Sequence, residues 1–180
     1  LFNQGLPYDF DNYGKKAISL QNYTLQGAYY DISENTIANC EKGIHLRNIS
    51  ANIAGPAGTA GLSVKGNLIE TMIPNIDLIN PHYGIWIENC FGAYIINNTV
   101  NRVSFGGLSS YTSTALQQDL LRGISIDKSD RSIVKDNYTE NMGTDIRVLG
   151  HCLGTELQCN RMKSSFQGIK LVSAKITTLP

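Results

Sequence analysis

The sequence has no long apolar run and no excess of charge of either sign. A membrane-spanning helix needs roughly eighteen consecutive apolar residues, and no stretch approaches that length, so we expect no membrane insertion. Lys plus Arg and Asp plus Glu number 15 each among 180 residues, which gives a formal net charge of zero. This balance does not favour nucleic acid as a partner.

Other common signals are also missing. The chain has no phosphate-binding loop, dinucleotide fingerprint or nucleophile motif, and its three histidines, His45, His82 and His151, lack the spacing of metal ligands. It begins at Leu1 without a signal peptide and ends soon after a repeat unit. We therefore expect residues 1–180 to form a single domain that is a piece of a longer chain.

What the sequence has is an asparagine that recurs three residues after an apolar residue. The five copies are Ile32–Asn35, Val64–Asn67, Ile95–Asn98, Val134–Asn137 and Leu157–Asn160. Asparagine suits a turn because it tolerates left-handed backbone conformations and bonds to nearby backbone groups. If it recurs at one corner of a stack, its side-chain amides can hydrogen-bond along the axis.

A second block reads Gly, apolar, any residue, apolar. It occurs at 43–46, 84–87, 123–126 and 168–171, with a copy lacking the Gly at 145–148 and a weaker copy at 17–20. The block follows Asn35 by eight residues, and Asn137 follows Gly123 by fourteen, which gives a repeat of twenty-two. Short alternating segments predict strands with one buried face. The pattern therefore predicts an all-β, single-stranded parallel β-helix of about seven coils.

The segments that contain these motifs resemble the right-handed parallel β-helix repeat proteins of the pectin-lyase-like class. They are NTIANCEKGIHL, NCFGAYIINNTV, GISIDKSDRSIVKDNYTENMGTDIRV and LQCNRMKSSFQGIKL. CLGTELQCNRM followed by GIKL is also similar to coils of large secreted surface proteins of Bacteroidota. The resemblance implies a secreted or cell-surface location. It leaves function open, because the class includes polysaccharide lyases, hydrolases, epimerases, phage tailspikes, adhesins and structural stalks.

Three insertions interrupt the repeat, near 54–61, 71–82 and 102–121. The last two should leave the same corner of adjacent coils and lie side by side. Loops on a rigid scaffold often carry binding residues, although solenoids also tolerate insertions at little cost. Tyr111, in the third insertion, is a candidate ligand contact.

Stacking of the Gly-containing blocks predicts a column of outward side chains. It contains His45, Trp86, Ser125, Arg147 and Lys170, with Arg47, Glu88 and Asp127 one step along the strands. An outward Trp beside charged groups suits a sugar ring, and Trp86, Tyr83, Arg147 and Tyr111 are the ligand-binding candidates. The alternative is that the neighbouring insertion covers Trp86.

Catalytic groups are sparse in this pattern. Glu88 and Asp127 are the one outward acid pair that could serve a glycoside hydrolase, but no third acid supports them. A lyase would need acidic calcium ligands and a base; residues 127–131, DKSDR, contain these types but suit an ordinary turn. We therefore expect no cofactor, and calcium only if the chain is a lyase.

The four cysteines allow one local disulfide. Cys152 and Cys159 bracket a short turn and could pair in an exported protein, whereas Cys40 and Cys90 suit buried thiols.

Three functions remain open at this point. The first is a secreted or cell-surface module with a structural or adhesive role, which binds a polysaccharide or cell-surface glycan and joins other domains of a longer chain. The second is a polysaccharide lyase or glycoside hydrolase. The third is a segment of a trimeric fibre or tailspike.

Overall fold

The computed structural model describes residues 16–21, 24–25, 30–38, 40–51, 62–71, 81–102 and 120–175, and the regular elements that they form are strands. The strands are β1 (Lys16–Gln21), β2 (Thr24–Leu25), β3 (Tyr30–Ser33), β4 (Thr36–Ala38), β5 (Lys42–Arg47), β6 (Ser50–Ala51), β7 (Leu62–Lys65), β8 (Leu68–Thr71), β9 (His82–Glu88), β10 (Ala93–Ile96), β11 (Thr99–Arg102), β12 (Leu121–Asp127), β13 (Ile133–Lys135), β14 (Tyr138–Glu140), β15 (Thr144–His151), β16 (Glu156–Gln158), β17 (Arg161–Lys163) and β18 (Gln167–Lys175).

The strands stack into three parallel sheets, each of which takes one strand from successive coils. Sheet 1 has the order β1-β5-β9-β12-β15-β18, sheet 2 the order β3-β7-β10-β13-β16, and sheet 3 the order β4-β8-β11-β14-β17; β2 and β6 form a further pair. All of these pairings are parallel. The predicted parallel β-helix is confirmed, and sheet 1 samples six of its coils.

The core lies in the space that the three sheets enclose. Each sheet contributes a column of inward apolar side chains that are fully buried in the central coils, such as Ile85 and Ile87 from sheet 1, Ile95 from sheet 2 and Val100 from sheet 3. The two-residue alternation of the sequence therefore separates an apolar interior from a polar exterior.

The recurrent asparagines form a hydrogen-bonded ladder at the corner between sheets 2 and 3. Each Nδ2 donates to the Oδ1 of the next asparagine, over 2.8 Å for Asn35–Asn67 and Asn67–Asn98 and 2.9 Å for Asn98–Asn137 and Asn137–Asn160. The backbone N–H of each of the first four also donates to the Oδ1 of the next. The predicted amide stack is thus present.

The left-handed conformation at this corner belongs to the residue that precedes each ladder asparagine. Glu34, Gly66, Asn97, Asp136 and Cys159 all have φ between 51° and 64°. The expectation that the ladder asparagine itself takes this conformation is corrected, because its side chain is instead committed to the bonds along the axis.

The glycine of the second block is required by close approach. A Cβ on Gly84 would lie 2.3 Å from a methyl group of Val100 and 2.8 Å from the carbonyl oxygen of Gly123. Any side chain here would collide with both the core and the next strand, so the block opens with Gly.

The three insertions lie outside the described residues apart from their ends. Those ends show that the second and third insertions both connect sheet 3 to sheet 1, from β8 to β9 and from β11 to β12, on adjacent coils. The prediction that they leave the same corner is therefore confirmed, and the first insertion leaves elsewhere, before β7.

The predicted Cys152–Cys159 disulfide is not formed. Both thiols are free; Cys152 is buried, with Sγ 3.4 Å from the carbonyl oxygen of Leu149, whereas Cys159 is exposed at the ladder corner. One side chain points into the core and the other into solvent, which prevents pairing. Cys40 and Cys90 are also buried free thiols, and burial raises the pKa of Cys40 to about 12 and of Cys90 to about 11.

Candidate functional site

The outward face of sheet 1 brings most of the predicted site residues together. Register pairs His45 with Trp86, Trp86 with Ser125, Ser125 with Arg147, and Arg147 with Lys170, as predicted. Arg47, Glu88 and Asp127 form the second predicted column. A third column, Lys42, Tyr83 and Arg122, lies at the start of the same strands.

The indole of Trp86 lies between two other rings. His45 stacks on it with ring centroids 4.2 Å apart, and Tyr83 with centroids 4.5 Å apart, both within 10° of parallel. Two coplanar rings side by side need about 6 Å between their centroids, so His45 and Tyr83 must occupy opposite faces. The expectation of an open indole platform is thereby corrected, because a sugar ring could stack on Trp86 only by displacing one of them.

Asp127 is the centre of the hydrogen-bonded part of this face. Its carboxylate accepts the Trp86 Nε1–H at 3.0 Å and the Ser125 hydroxyl at 2.8 Å. Arg147 Nη1 donates to both carboxylate oxygens, at 3.2 and 3.4 Å, while the buried Nε of Arg147 has no partner. The carboxylate of Asp127 is therefore fully engaged in holding its neighbours, which is a poor state for a catalytic acid or base.

Glu88 forms a second, more open group with two residues of β5. Its Oε2 lies 3.4 Å from His45 Nε2 and 3.4 Å from Arg47 Nε. Burial, together with Lys16 and Lys42 nearby, lowers the pKa of His45 despite its bond to Glu88. This lowering disfavours the protonated form of His45, so the permanent cation beside Glu88 is Arg47.

Tyr83 was predicted as a ligand contact, but the column that it forms with Lys42 and Arg122 was not predicted. Lys42 Nζ lies 4.9 Å from the Trp86 ring centroid, and the Arg122 guanidinium contacts the Tyr83 ring and donates to its hydroxyl. Burial raises the pKa of Tyr83. The available signal was position, because Lys42, Tyr83 and Arg122 each directly precede the Gly of a block.

The centre of the face is shielded from water and its margins are accessible. Tyr83 and Arg147, both predicted ligand contacts, are buried, as is Asp127; Trp86 is half-buried. The Arg47 side chain is 47% exposed. Tyr111, the fourth predicted contact, lies outside the described residues. A ligand on this face would meet the margins first.

Charge is distributed unequally among the three sheets. The outward columns of sheet 1 carry six cations and two anions, namely Lys16, Lys42, Arg47, Arg122, Arg147 and Lys170 against Glu88 and Asp127. Those of sheet 2 carry two of each, Lys65 and Lys135 against Asp31 and Glu156. Sheet 3 carries three cations and two anions, namely Arg102, Arg161 and Lys163 against Glu70 and Glu140. The excess of positive charge is thus largest on sheet 1.

Within the described ranges, no three His, Cys, Asp or Glu side chains cluster closely enough to hold a metal ion. Those ranges also contain no helix with the length and apolar character to cross a membrane.

Comparison with known proteins found no matching family model, no similar curated protein and no similar solved structure.

Proposed function

We propose that this chain is a secreted or cell-surface β-helix module with an adhesive role, which binds a glycan bearing acidic groups along the outward face of sheet 1. The observation that carries the proposal is the charge of that face, six cations against two anions in a chain of zero net charge. Localised positive charge raises the local concentration of an anionic partner and orients it.

The arrangement of the cations suits an extended, repeating ligand. They occur on five of the six strands of sheet 1, with β9 as the exception, and neighbouring strands lie about 4.8 Å apart along the solenoid axis. Arg47 is exposed at the margin of the face. Arg122 and Arg147 are buried at the centre of the face, so a polysaccharide with carboxylate or sulfate groups would meet the more accessible cations, Lys16, Lys42, Arg47 and Lys170. Several such contacts at once multiply individually weak attractions.

The rigidity of the face supports a binding role. The aromatic stack on Trp86 and the bonds to Asp127 hold the centre of the face without a ligand. A preorganised surface loses little conformational entropy on binding. The asparagine ladder fixes the spacing of the coils behind it.

The test is binding of the intact chain to immobilised polygalacturonate, alginate and chondroitin sulfate, with dextran as the neutral comparison. We expect binding to at least one acidic polymer, weakened by salt. Arg47→Gln should weaken it about threefold, since an exposed ion contact contributes less than about 1 kcal/mol. Lys65→Gln is the matched control, because Lys65 is exposed on sheet 2.

Equal binding to dextran, or equal losses in the two variants, would contradict the proposal. Duplex DNA of matched charge density is a further control, and binding to it as tight as to the best glycan would indicate a general polyanion surface.

A polysaccharide-cleaving enzyme is the second candidate, and one observation favours it. Asp127 and Glu88 are direct register partners on neighbouring strands, with His45 hydrogen-bonded to Glu88. Incubation of the chain with the same polymers tests this candidate: reducing or unsaturated ends that disappear in Glu88→Gln would establish cleavage and displace the non-enzymatic proposal.

A further inference from the structure

The outward face of sheet 2 carries an apolar cluster on its middle strands. Tyr94 and Ile96 on β10 and Ile133 on β13 point away from the core, and Tyr94 and Ile133 are direct register partners. All three side chains are half-buried, whereas the inward Ile95 and Val134 beside them are fully buried. Adjoining apolar side chains on an otherwise polar exterior mark a surface for association.

Charged residues surround this cluster in a regular pattern. Two columns run along the outward face of sheet 2: the first is Asp31, Ser63, Tyr94, Ile133 and Glu156, and the second is Ser33, Lys65, Ile96, Lys135 and Gln158. The two acids lie two coils before and two coils after Tyr94. The two lysines lie one coil before and one coil after Ile96. The charges are therefore placed symmetrically about β10.

The two acids are held in position without a cation. Asp31 accepts a hydrogen bond from the Ser33 hydroxyl at 3.0 Å, and Glu156 accepts one from Gln158 Nε2 at 2.6 Å. Among the residues that the structure describes, neither acid forms an ion pair, and nor does Lys65. The charges that flank the apolar cluster can therefore serve a partner.

We propose that this face is a dimer interface, on which the outward face of sheet 2 of a second copy docks by a two-fold axis parallel to the solenoid axis. The inference does not rest on the proposed glycan face, which lies on sheet 1. The two solenoids lie side by side and run in the same direction, so equal coils face each other and the two columns exchange places. Such an interface is isologous and closes at two copies.

Apolar side chains meet at the centre of this arrangement. Tyr94 of each copy faces Ile96 of the other, and Ile133 of each copy faces the aliphatic stem of Lys135 of the other. Because the axis repeats every contact, two tyrosines and four isoleucines pack together in the middle of the interface. The side chains that are half-buried in one chain therefore become covered in the dimer.

Opposite charges meet on both sides of this centre. Lys65 of one copy lies across the interface and one coil away from Asp31 of the other, and Lys135 is related to Glu156 in the same way. Neighbouring coils are about 4.8 Å apart, an offset that the flexible lysine side chain can span. The axis repeats both contacts, so the dimer contains four such attractions.

The same charges oppose an antiparallel dimer. A two-fold axis along the strands would reverse the order of the coils about β10. Asp31 would then face Glu156 of the other copy, and Lys65 would face Lys135. Like charges in direct opposition disfavour that arrangement. The charge pattern therefore selects the parallel dimer.

The small size of the face predicts a weak, reversible dimer. Five strands about 4.8 Å apart make a face about 20 Å long, which is smaller than a standard protein interface. Sedimentation equilibrium over a wide concentration series should show a 19.7 kDa monomer in equilibrium with a dimer. Glycan binding is measured at concentrations where the chain is monomeric, so failure of one proposal leaves the other standing.

Substitution in the apolar cluster is the first test. Tyr94→Lys should weaken association at least tenfold, because it places a charge in the apolar contact, between Lys65 and Lys135 of the other copy. Leu68→Lys is the matched control, since Leu68 is 37% exposed on the outward face of sheet 3 and its replacement should leave the dimer unchanged. Far-UV circular dichroism melts establish that both variants are folded.

Exchange of the charges is a test that a folding defect cannot imitate. A chain with Lys65→Glu and Lys135→Glu should fail to self-associate, and so should a chain with Asp31→Lys and Glu156→Lys, because each brings like charges together across the axis. An equimolar mixture of the two chains should form a heterodimer, since opposite charges then meet at every position. Absence of the heterodimer would contradict the proposal.

The single variant Lys65→Glu distinguishes the parallel axis from the antiparallel one. In the parallel dimer the new carboxylate lies near Asp31 of the other copy, so association should weaken at least about threefold. In an antiparallel dimer it would face Lys135 and strengthen association. Stronger association of this variant, a monomer at every soluble concentration, a trimer, or loss of the dimer in Leu68→Lys would overturn the proposal.

Discussion

The asparagine corner and the outward face of sheet 1 are both polar columns along the solenoid axis, but their members interact differently. At the corner every position is Asn, and each amide donates to the next and accepts from the one before. On sheet 1 the residues in a column differ, and each forms its own set of contacts. Trp86 and Arg147, for example, both donate hydrogen bonds to the carboxylate of Asp127.

The comparison distinguishes contacts that stabilise every coil in the same way from contacts that occur at one place on the solenoid. In a column of identical amides, each side chain can hydrogen-bond to the next whatever the number of coils. Such a column can therefore be predicted from the repeat in the sequence. In a column of unlike groups, hydrogen bonds form only between particular pairs of side chains. The chemistry of such a column is therefore local to a few coils. The following substitutions test this contrast.

The largest effect is expected inside the ladder. Asn98→Ala removes five side-chain hydrogen bonds, to Val64, Ile96 and both neighbouring asparagines. Because the partners left behind are buried, the free energy of unfolding should fall by about 4 kcal/mol. Urea denaturation measures it. Asn97→Gly, at the adjacent exposed position with φ of 55°, should change stability by less than about 0.5 kcal/mol. Equal effects would show that the ladder contributes little.

Asp145 is an interior polar residue outside the ladder, and it should give a pH dependence. Ser165 donates to its Oδ1 at 2.8 Å, but the buried Oδ2 has no partner. Burial raises its pKa from 3.8 to about 6. Because its folded-state pKa is raised, the contribution of Asp145 to stability is largest below about pH 4 and is lost as the pH rises through 6. The loss above pH 6 should approach about 3 kcal/mol.

The check is urea denaturation of the wild type and Asp145→Asn between pH 4 and 8. The variant should lack this component of the pH slope, whereas Asp31→Asn, at an exposed position, should retain it. Parallel wild-type and Asp145→Asn profiles would contradict the prediction.

A smaller effect is expected in the outward column. Asp127→Asn leaves the buried Arg147 without its counter-charge, but the amide oxygen still accepts one bond. We expect a loss of about 2 kcal/mol. In the Arg147→Met background, Asp127→Asn should lower the free energy of unfolding by a smaller amount. A double-mutant cycle measures this difference. Additive losses would mean that the ion pair carries no coupling. Asp136→Asn, in an exposed pair with Lys135, should be nearly neutral.

The ladder and the register could be predicted from sequence because they depend on spacing alone. Eight residues from Asn35 to Gly43, repeated along the chain, fix which residues stack, and the columns through His45 and Arg47 follow from that. The need for glycine at Gly84 followed from the same repeat, with the collision as its cause.

The chemistry of the site could not be predicted because it depends on where side chains turn after leaving the backbone. Trp86 was correctly placed outward, but its enclosure by Tyr83 requires a side chain three residues away on the same strand to fold back over the indole. The role of Asp127 as an acceptor for three neighbours likewise depends on side-chain direction across coils. Cys152 and Cys159 were close in sequence, but face opposite sides of the chain.

The left-handed position before each ladder asparagine has a consequence for how this protein can diversify. Five unlike residues, Glu34, Gly66, Asn97, Asp136 and Cys159, share one backbone conformation there. The following asparagine makes the bonds that hold the corner, so the preceding side chain is limited mainly by its left-handed backbone, which disfavours β-branched residues. The corner is therefore a line of sites, one per coil, where new surface chemistry can be acquired by single substitutions to unbranched residues with a small loss of stability.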